Sequence, residues 1–138
     1  MPEKKNARKK LSRVEQRDLD TKIEFIEGLV RRDPNYVDAL QILGDHYTQR
    51  GRINEGLKVD QRLASLEPAN PLVFYNLACS YSLAGEIDQA ASALEKSLEL
   101  GYRDFDWLAR DPDLKTLRVH EAFKDLKAKI RQLKGGSR

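Results

Sequence analysis

The sequence predicts an all-α chain of stacked antiparallel helix pairs. Three observations carry that expectation. First, a shift of 34 residues lays the chain on itself, matching Leu43 to Leu77, Tyr47 to Tyr81, Gly51 to Gly85, Ile53 to Ile87 and Leu66 to Leu100. Second, the apolar residues inside each unit recur at helical spacing, as in Leu40, Leu43 and Tyr47. Third, glycine and proline fall between the apolar runs, at Gly51, Pro68 and Gly85. A period of this length is the mark of a helical repeat array.

The elements follow in order. Residues 1–11 are basic and poor in apolar side chains, and are expected to be a disordered tail. Ser12-Arg13-Val14-Glu15 reads as a capping box, so a helix starts near Arg13. Leu19, Ile23, Ile26, Leu29 and Val30 form its apolar face, and Asp33-Pro34-Asn35 closes the segment 12–36. Residues 37–70 hold the first full unit. Its two helices are separated at Gln49-Arg50-Gly51-Arg52, with Ile53, Leu57, Leu63 and Leu66 lining the second. Asn70-Pro71 restarts the chain as a cap and first-turn pair. Residues 71–104 repeat the logic with Phe74, Leu77, Tyr81, Ile87, Ala90, Leu94 and Leu98. Gly44, Ala78, Gly56 and Ala90 are small where helices must approach closely.

Two units bury little apolar surface, so further helices should cap the ends. Residues 105–134 are expected to do so at the back. Phe105-Asp106-Trp107-Leu108-Ala109 reads as a short helix with Trp107 turned inward, and Asp111-Pro112-Asp113 reads as a turn. Val119, Phe123, Leu126, Ile130 and Leu133 form the stripe of a helix from about His120 to Lys134, ended by Gly135-Gly136. Residues 135–138 are expected to be a disordered tail.

These motifs resemble the tetratricopeptide repeat. Leu40-x-x-Leu43-Gly44-x-x-Tyr47 with Gly56 and Pro68 follows its spacing, as does Phe74-x-x-Leu77-Ala78-x-x-Tyr81 with Ala90 and Leu94. Leu40 and Phe74 stand where the family often has tryptophan, Asp60 where an apolar residue is usual, and Tyr102 in place of the closing proline. The resemblance implies a right-handed α-solenoid, with 18–36 as the second half of a degenerate repeat. It also implies a non-enzymatic scaffold or adaptor that holds a peptide or helix of another protein in a concave groove. Its groove positions correspond to Asp38, Gln41, Asp45, Thr48 and Gln49 in the first unit. In the second they correspond to Leu72, Tyr75, Asn76, Cys79 and Leu83. Some members clamp an acidic C-terminal peptide with lysine, arginine and asparagine. Asn76 matches that clamp and Arg110 approximates a basic member, but Gln41, Asp45 and Asp106 do not fit. Leu72 and Tyr75 beside Asp38 and Asp45 instead suit a partner with one apolar anchor and a basic residue.

The residues offer little to chemistry. His46 and His120 are far apart and lack partners at a metal-ligand spacing, so no metal or cofactor site is expected. Cys79 is the single cysteine, with no nucleophile motif around it; it reads as a small half-buried thiol in a reducing, cytoplasmic setting. No run approaches the roughly 20 apolar residues of a membrane span.

Charge raises three rival readings. Residues 1–17 carry seven basic and two acidic side chains, 18–114 carry ten and eighteen, and 115–138 carry eight and two. Lys4, Lys5, Arg8, Lys9, Lys10 and Arg13 could neutralise phosphates, which makes nucleic-acid association the main alternative. The acidic middle and the absence of interleaved aromatics argue against it. The basic C-terminal helix could lie on a membrane surface, although its stripe also suits a cap. A homodimer that covers an open half-repeat face is a further expectation.

Overall fold

The computed structural model describes residues 10–136. All regular structure among them is helical. Helix α1 spans Arg13–Arg32, α2 Val37–Arg50, α3 Ile53–Leu66, α4 Pro71–Leu83 and α5 Ile87–Glu99. A single turn, α6, spans Phe105–Leu108. A 3-10 turn at Pro112–Leu114 leads into α7, Lys115–Arg118, and α8 covers Phe123–Gly136. Of the basic residues in the expected N-terminal tail, Lys4, Lys5, Arg8 and Lys9 lie outside the described residues. So do Ser137 and Arg138 at the other end.

Local chemistry sets the helix ends. The Ser12 hydroxyl accepts from the Glu15 amide at 3.1 Å, and the Glu15 carboxylate accepts from the Ser12 amide at 2.9 Å. This reciprocal cap starts α1 where its sequence signature lies. Gly51 and Gly85 end α2 and α4 at φ of 86° and 80°, a region that side chains resist. In both turns the next amide closes on a tyrosine carbonyl: Arg52 on Tyr47 at 2.8 Å and Glu86 on Tyr81 at 2.9 Å.

Each of α1 to α4 packs on the next. The 34-residue translation carries specific contacts as well as helix bounds. Tyr47 donates its hydroxyl hydrogen bond to Glu27 on α1, and the Tyr81 hydroxyl accepts from Gln61 on α3 at 3.1 Å. Glu27 and Gln61 are themselves one period apart. The front core gathers Leu19, Ile23, Leu40, Leu43, Tyr47, Val59, Leu63 and Val73. The back core joins α3, α4 and α5 to the cap through Leu57, Leu94, Leu98, Trp107, Leu114, Leu117 and Phe123. Trp107 points inward, as its sequence setting suggests.

Asp60, the departure from the repeat pattern, is buried and accepts from the Ser80 hydroxyl of α4. It also sets the spacing of α2 and α3. A Cβ on Gly44 would stand 3.1 Å from the Asp60 carboxylate and 3.3 Å from Val59 Cγ1. A Cβ on Gly56 would stand 3.1 Å from Thr48 Oγ1.

The back end departs from the expected stripe in two places. Val119 lies outside α8 and is 81% exposed, because the chain turns first. His120 Nδ1 accepts from the Ala122 amide at 3.0 Å in that turn. At the other end α8 continues through Gly135 to Gly136 rather than stopping at Lys134. Lys129 ties α8 to α5 through Glu95 and Glu99, at 3.4 and 3.5 Å.

The close approach at Gly44 makes a specific prediction. Gly44→Leu should lower unfolding stability by about 2–3 kcal/mol through overpacking. Gly28, half-buried on α1, has only Arg31 Nη2 among the described residues within reach of an added Cβ, at 3.8 Å. Gly28→Ala should therefore raise stability by about 0.5–1 kcal/mol from helix propensity alone. Urea titration reads both, and equal responses at the two sites would contradict this packing.

Candidate functional site

The groove positions named from the repeat fall into two groups with different surroundings. On α2, Asp38 is exposed, Gln41 and Asp45 are half-buried, and Gln49 is exposed. Thr48 is buried and donates to the Gly44 carbonyl at 3.1 Å, so it spaces helices rather than facing a partner. On α4, Leu72 and Leu83 are half-buried, while Tyr75, Asn76 and Cys79 are buried to 1% exposure or less. Leu72 thus stays half-buried, whereas Tyr75, expected to face a partner, is corrected to a buried residue.

The chain's own C-terminal segment covers it. The 3-10 turn and α7 pack against α4. Tyr75 donates from its hydroxyl to Asp111 Oδ2 at 2.6 Å, and the Cys79 thiol lies 3.7 Å from the same oxygen. The other Asp111 oxygen accepts from the Asp113 amide at 2.9 Å, and its carbonyl accepts from Arg118 at 2.6 Å. Tyr102, in place of a closing proline, stacks on Tyr75 with centroids 4.2 Å apart and planes 11° from parallel. Burial first, then the neighbouring Cys79 and Asp111, push the Tyr75 phenol far above the ordinary tyrosine range. It is a permanent donor.

Among the described residues, no such segment covers the same face of the first repeat. Ile42 is 45% exposed there. It is the 34-residue image of the buried Asn76 and is not among the groove residues that the family resemblance implies. Applying the repeat shift to Asn76 finds it. Ile42 lies on the side of α2 that also carries Asp38 and Asp45, which makes a short surface of one apolar and two acidic side chains. The clamp fails in a different way from the one its sequence mismatches suggest. Asn76 is inside, and Arg110 lies over the Trp107 ring at 5.5 Å from its centroid.

Among the described residues, no three His, Cys, Asp or Glu side chains are placed to hold a metal ion. Cys79 is wholly buried rather than half-buried, and its sulfur faces the Asp111 carboxylate inside the core. His46 is half-buried, and its Nδ1 has no hydrogen-bond partner among the described residues. No helix is long and apolar enough to cross a membrane among these residues.

No protein-family model matches the chain. Known proteins do. The chain is 29% identical over 118 residues to a chloroplastic protein of Arabidopsis thaliana, covering 83% of this chain and 34% of that one. It is 34% identical over 90 residues to the peroxisomal targeting signal receptor of Komagataella phaffii, covering 64% of this chain and 16% of the receptor. It is 30% identical over 86 residues to Superkiller protein 3 of Saccharomyces cerevisiae, covering 62% and 6%. These relatives contain tetratricopeptide repeats. The chain is similar to tetratricopeptide-repeat proteins in sequence and in its paired helices. It spans about a third or less of the length of the curated relatives it matches. The tetratricopeptide pattern accounts for the paired helices α2–α3 and α4–α5, whereas the segment that fills the second groove has no repeat counterpart.

These contacts make two predictions. Tyr75→Phe removes one donor from a buried carboxylate and should cost about 1–2 kcal/mol. Hydrogen exchange should then quicken first in residues 111–118, and unchanged exchange there would contradict the anchoring role. The second concerns acid. Burial, followed by the nearby Lys22 charge, lowers the His46 pKa from its ordinary value of 6.5. The folded state then binds fewer protons than the unfolded state, so this stability is present above that value and is lost as pH falls below it. The melting temperature should drop between about pH 7 and pH 5 by less in His46→Gln than in the parent.

Proposed function

We propose that this protein is a non-enzymatic docking module that holds a partner segment on the concave face of its first repeat. The carrying observation is Ile42, exposed between Gln41 and Asp45 where its counterpart in the second repeat is sealed. The covered half serves as a template. There a segment of polypeptide lies on an α4 face, burying Leu114 and Leu117 and receiving a hydrogen bond from Tyr75. An external segment on α2 would meet an apolar side chain and the carboxylates of Asp38 and Asp45. It should therefore present an apolar residue beside lysine or arginine. One relative is named as a receptor for a targeting signal, which is in keeping with recognition of a short peptide.

The use of the groove's polar groups supports the non-enzymatic part of this reading. Three of them are engaged in packing: Tyr75 and Cys79 meet Asp111, and Thr48 binds a backbone carbonyl.

Peptides selected by display on the full chain provide the test. Ile42→Asp and Asp45→Lys should each weaken the best selected peptides about tenfold, by loss of apolar contact and by charge reversal. Gln89→Lys on α5 should leave them unchanged. Binding that survives both groove substitutions would overturn the proposal.

A further inference from the structure

The cap contains a second concavity that the repeat does not explain. It lies between α6 and α8, with a volume of about 350 Å³. Its walls carry Phe105, Leu108, Phe123 and Ile130, and its charged residues are Arg118, Lys127 and Lys134. No carboxylate of the described residues lines it. Three cations around an apolar floor form a surface of one sign, in a chain whose body is acidic.

The cations are held in different ways. Arg118 donates to the carbonyls of Leu108 and Asp111 at 3.0 and 2.6 Å, which fixes the guanidinium without neutralising it. Lys134 lies over the Phe105 ring, 5.8 Å from its centroid. Lys127 is exposed. The neighbouring Lys129 is held by Glu95 and Glu99 of α5. The basic character of α8 is thus divided between a structural tie and the rim of the cleft.

Spacing narrows the ligand. Lys127 and Lys134 are seven residues apart on α8, or about 10 Å along the axis. One small anion cannot reach both. Two carboxylates seven residues apart on a facing helix can, with an apolar side chain between them directed at Phe105 and Ile130.

We propose that this cleft is a second docking surface, and that its occupant is an acidic amphipathic helix of a partner protein. The helix carries a leucine or phenylalanine flanked by glutamates on the same face. This surface is separate from the α2 face and does not depend on it.

The test uses the full chain and a labelled helical peptide of about fourteen residues, with glutamates seven apart around a central phenylalanine. A matched peptide has lysine at the two glutamate positions. Fluorescence anisotropy should show binding of the acidic peptide only, weakening as salt rises from about 50 to about 300 mM. The double variant K127E/K134E should weaken binding about tenfold or more, as should Lys127→Glu alone to a smaller extent. Both side chains are exposed, and circular dichroism checks that the variants stay folded. Ile42→Asp should have no effect, so failure of the cleft and failure of the α2 face give different results. Equal binding to parent and double variant would overturn the proposal, as would no binding at about 1 mM peptide. So would flotation of the chain with phosphatidylserine vesicles unopposed by the peptide, which assigns the cleft to a membrane. Concentration-dependent self-association lost in K127E/K134E would assign it to a second copy and would equally overturn it.

Discussion

A carboxylate inside a small helical protein costs several kilocalories per mole unless its oxygens are met by donors. Asp111 is 1% exposed, and its side chain is met by the Tyr75 hydroxyl and the Asp113 amide. That arrangement holds the turn at Pro112–Leu114 against α4, which lets Leu114 and Leu117 enter the core at 0% exposure. Arg118 closes the other side by binding the Asp111 carbonyl. The choice of free surface follows from this anchor. It covers the α4 face, leaves the α2 face open among the described residues, and places α6 and α8 so that a cleft forms between them.

A two-repeat stack has two ends to seal, and the ends are sealed unequally. The back is closed by α6, α7 and α8, which join one core with α4 and α5. Among the described residues the front has only α1. Phe25 on α1 is the 34-residue image of Val59, which is buried against the Gly44 side of α2. Phe25 itself is 65% exposed, because no helix precedes α1 among the described residues to take the place that α2 takes for α3. Leu19 and Ile23 are the residues of α1 buried against the stack. The front end therefore rests on fewer apolar contacts, supported by polar ties such as Tyr47 to Glu27 and Arg50 to Asp20 at 2.8 Å. Exposed pairs of the latter kind contribute well under about 1 kcal/mol.

The legible parts of the fold are those that repeat. The shift of 34 residues locates α2 to α5, because the same residue types mark the same turns: Gly51 and Gly85 at the breaks, Pro34 and Pro68 at the closures. The Ser12–Glu15 box locates the start of α1 for an equally local reason. Burial of the groove is not legible. Tyr75 is covered by Asp111, 36 residues later, in a segment without period or strong propensity. The turn at Asp111-Pro112-Asp113 can be read, but nothing local says which surface it meets. The stripe that includes Val119 fails for a related reason. Its spacing suits a helix, yet the His120 ring captures the Ala122 amide and delays the helix to Phe123. Ile42 is legible in principle, since the shift that aligns the two units carries Asn76 onto it.

The filled groove also bears on how a partner can bind. Displacing the C-terminal segment from α4 would expose Leu114 and Leu117, each worth about 1.5–3 kcal/mol of burial, and would strand the Asp111–Tyr75 pair. A ligand for the second repeat would spend about 5 kcal/mol before any net gain, a loss of several thousandfold in apparent affinity. A ligand on the α2 face or in the α6–α8 cleft carries no such penalty. Both surfaces are open among the described residues, and they differ in sign, with Asp38 and Asp45 on one and Arg118, Lys127 and Lys134 on the other. Opposite charge makes them poor competitors for one ligand. Under the two proposals a basic segment and an acidic helix are held at once, an arrangement that a single groove cannot supply.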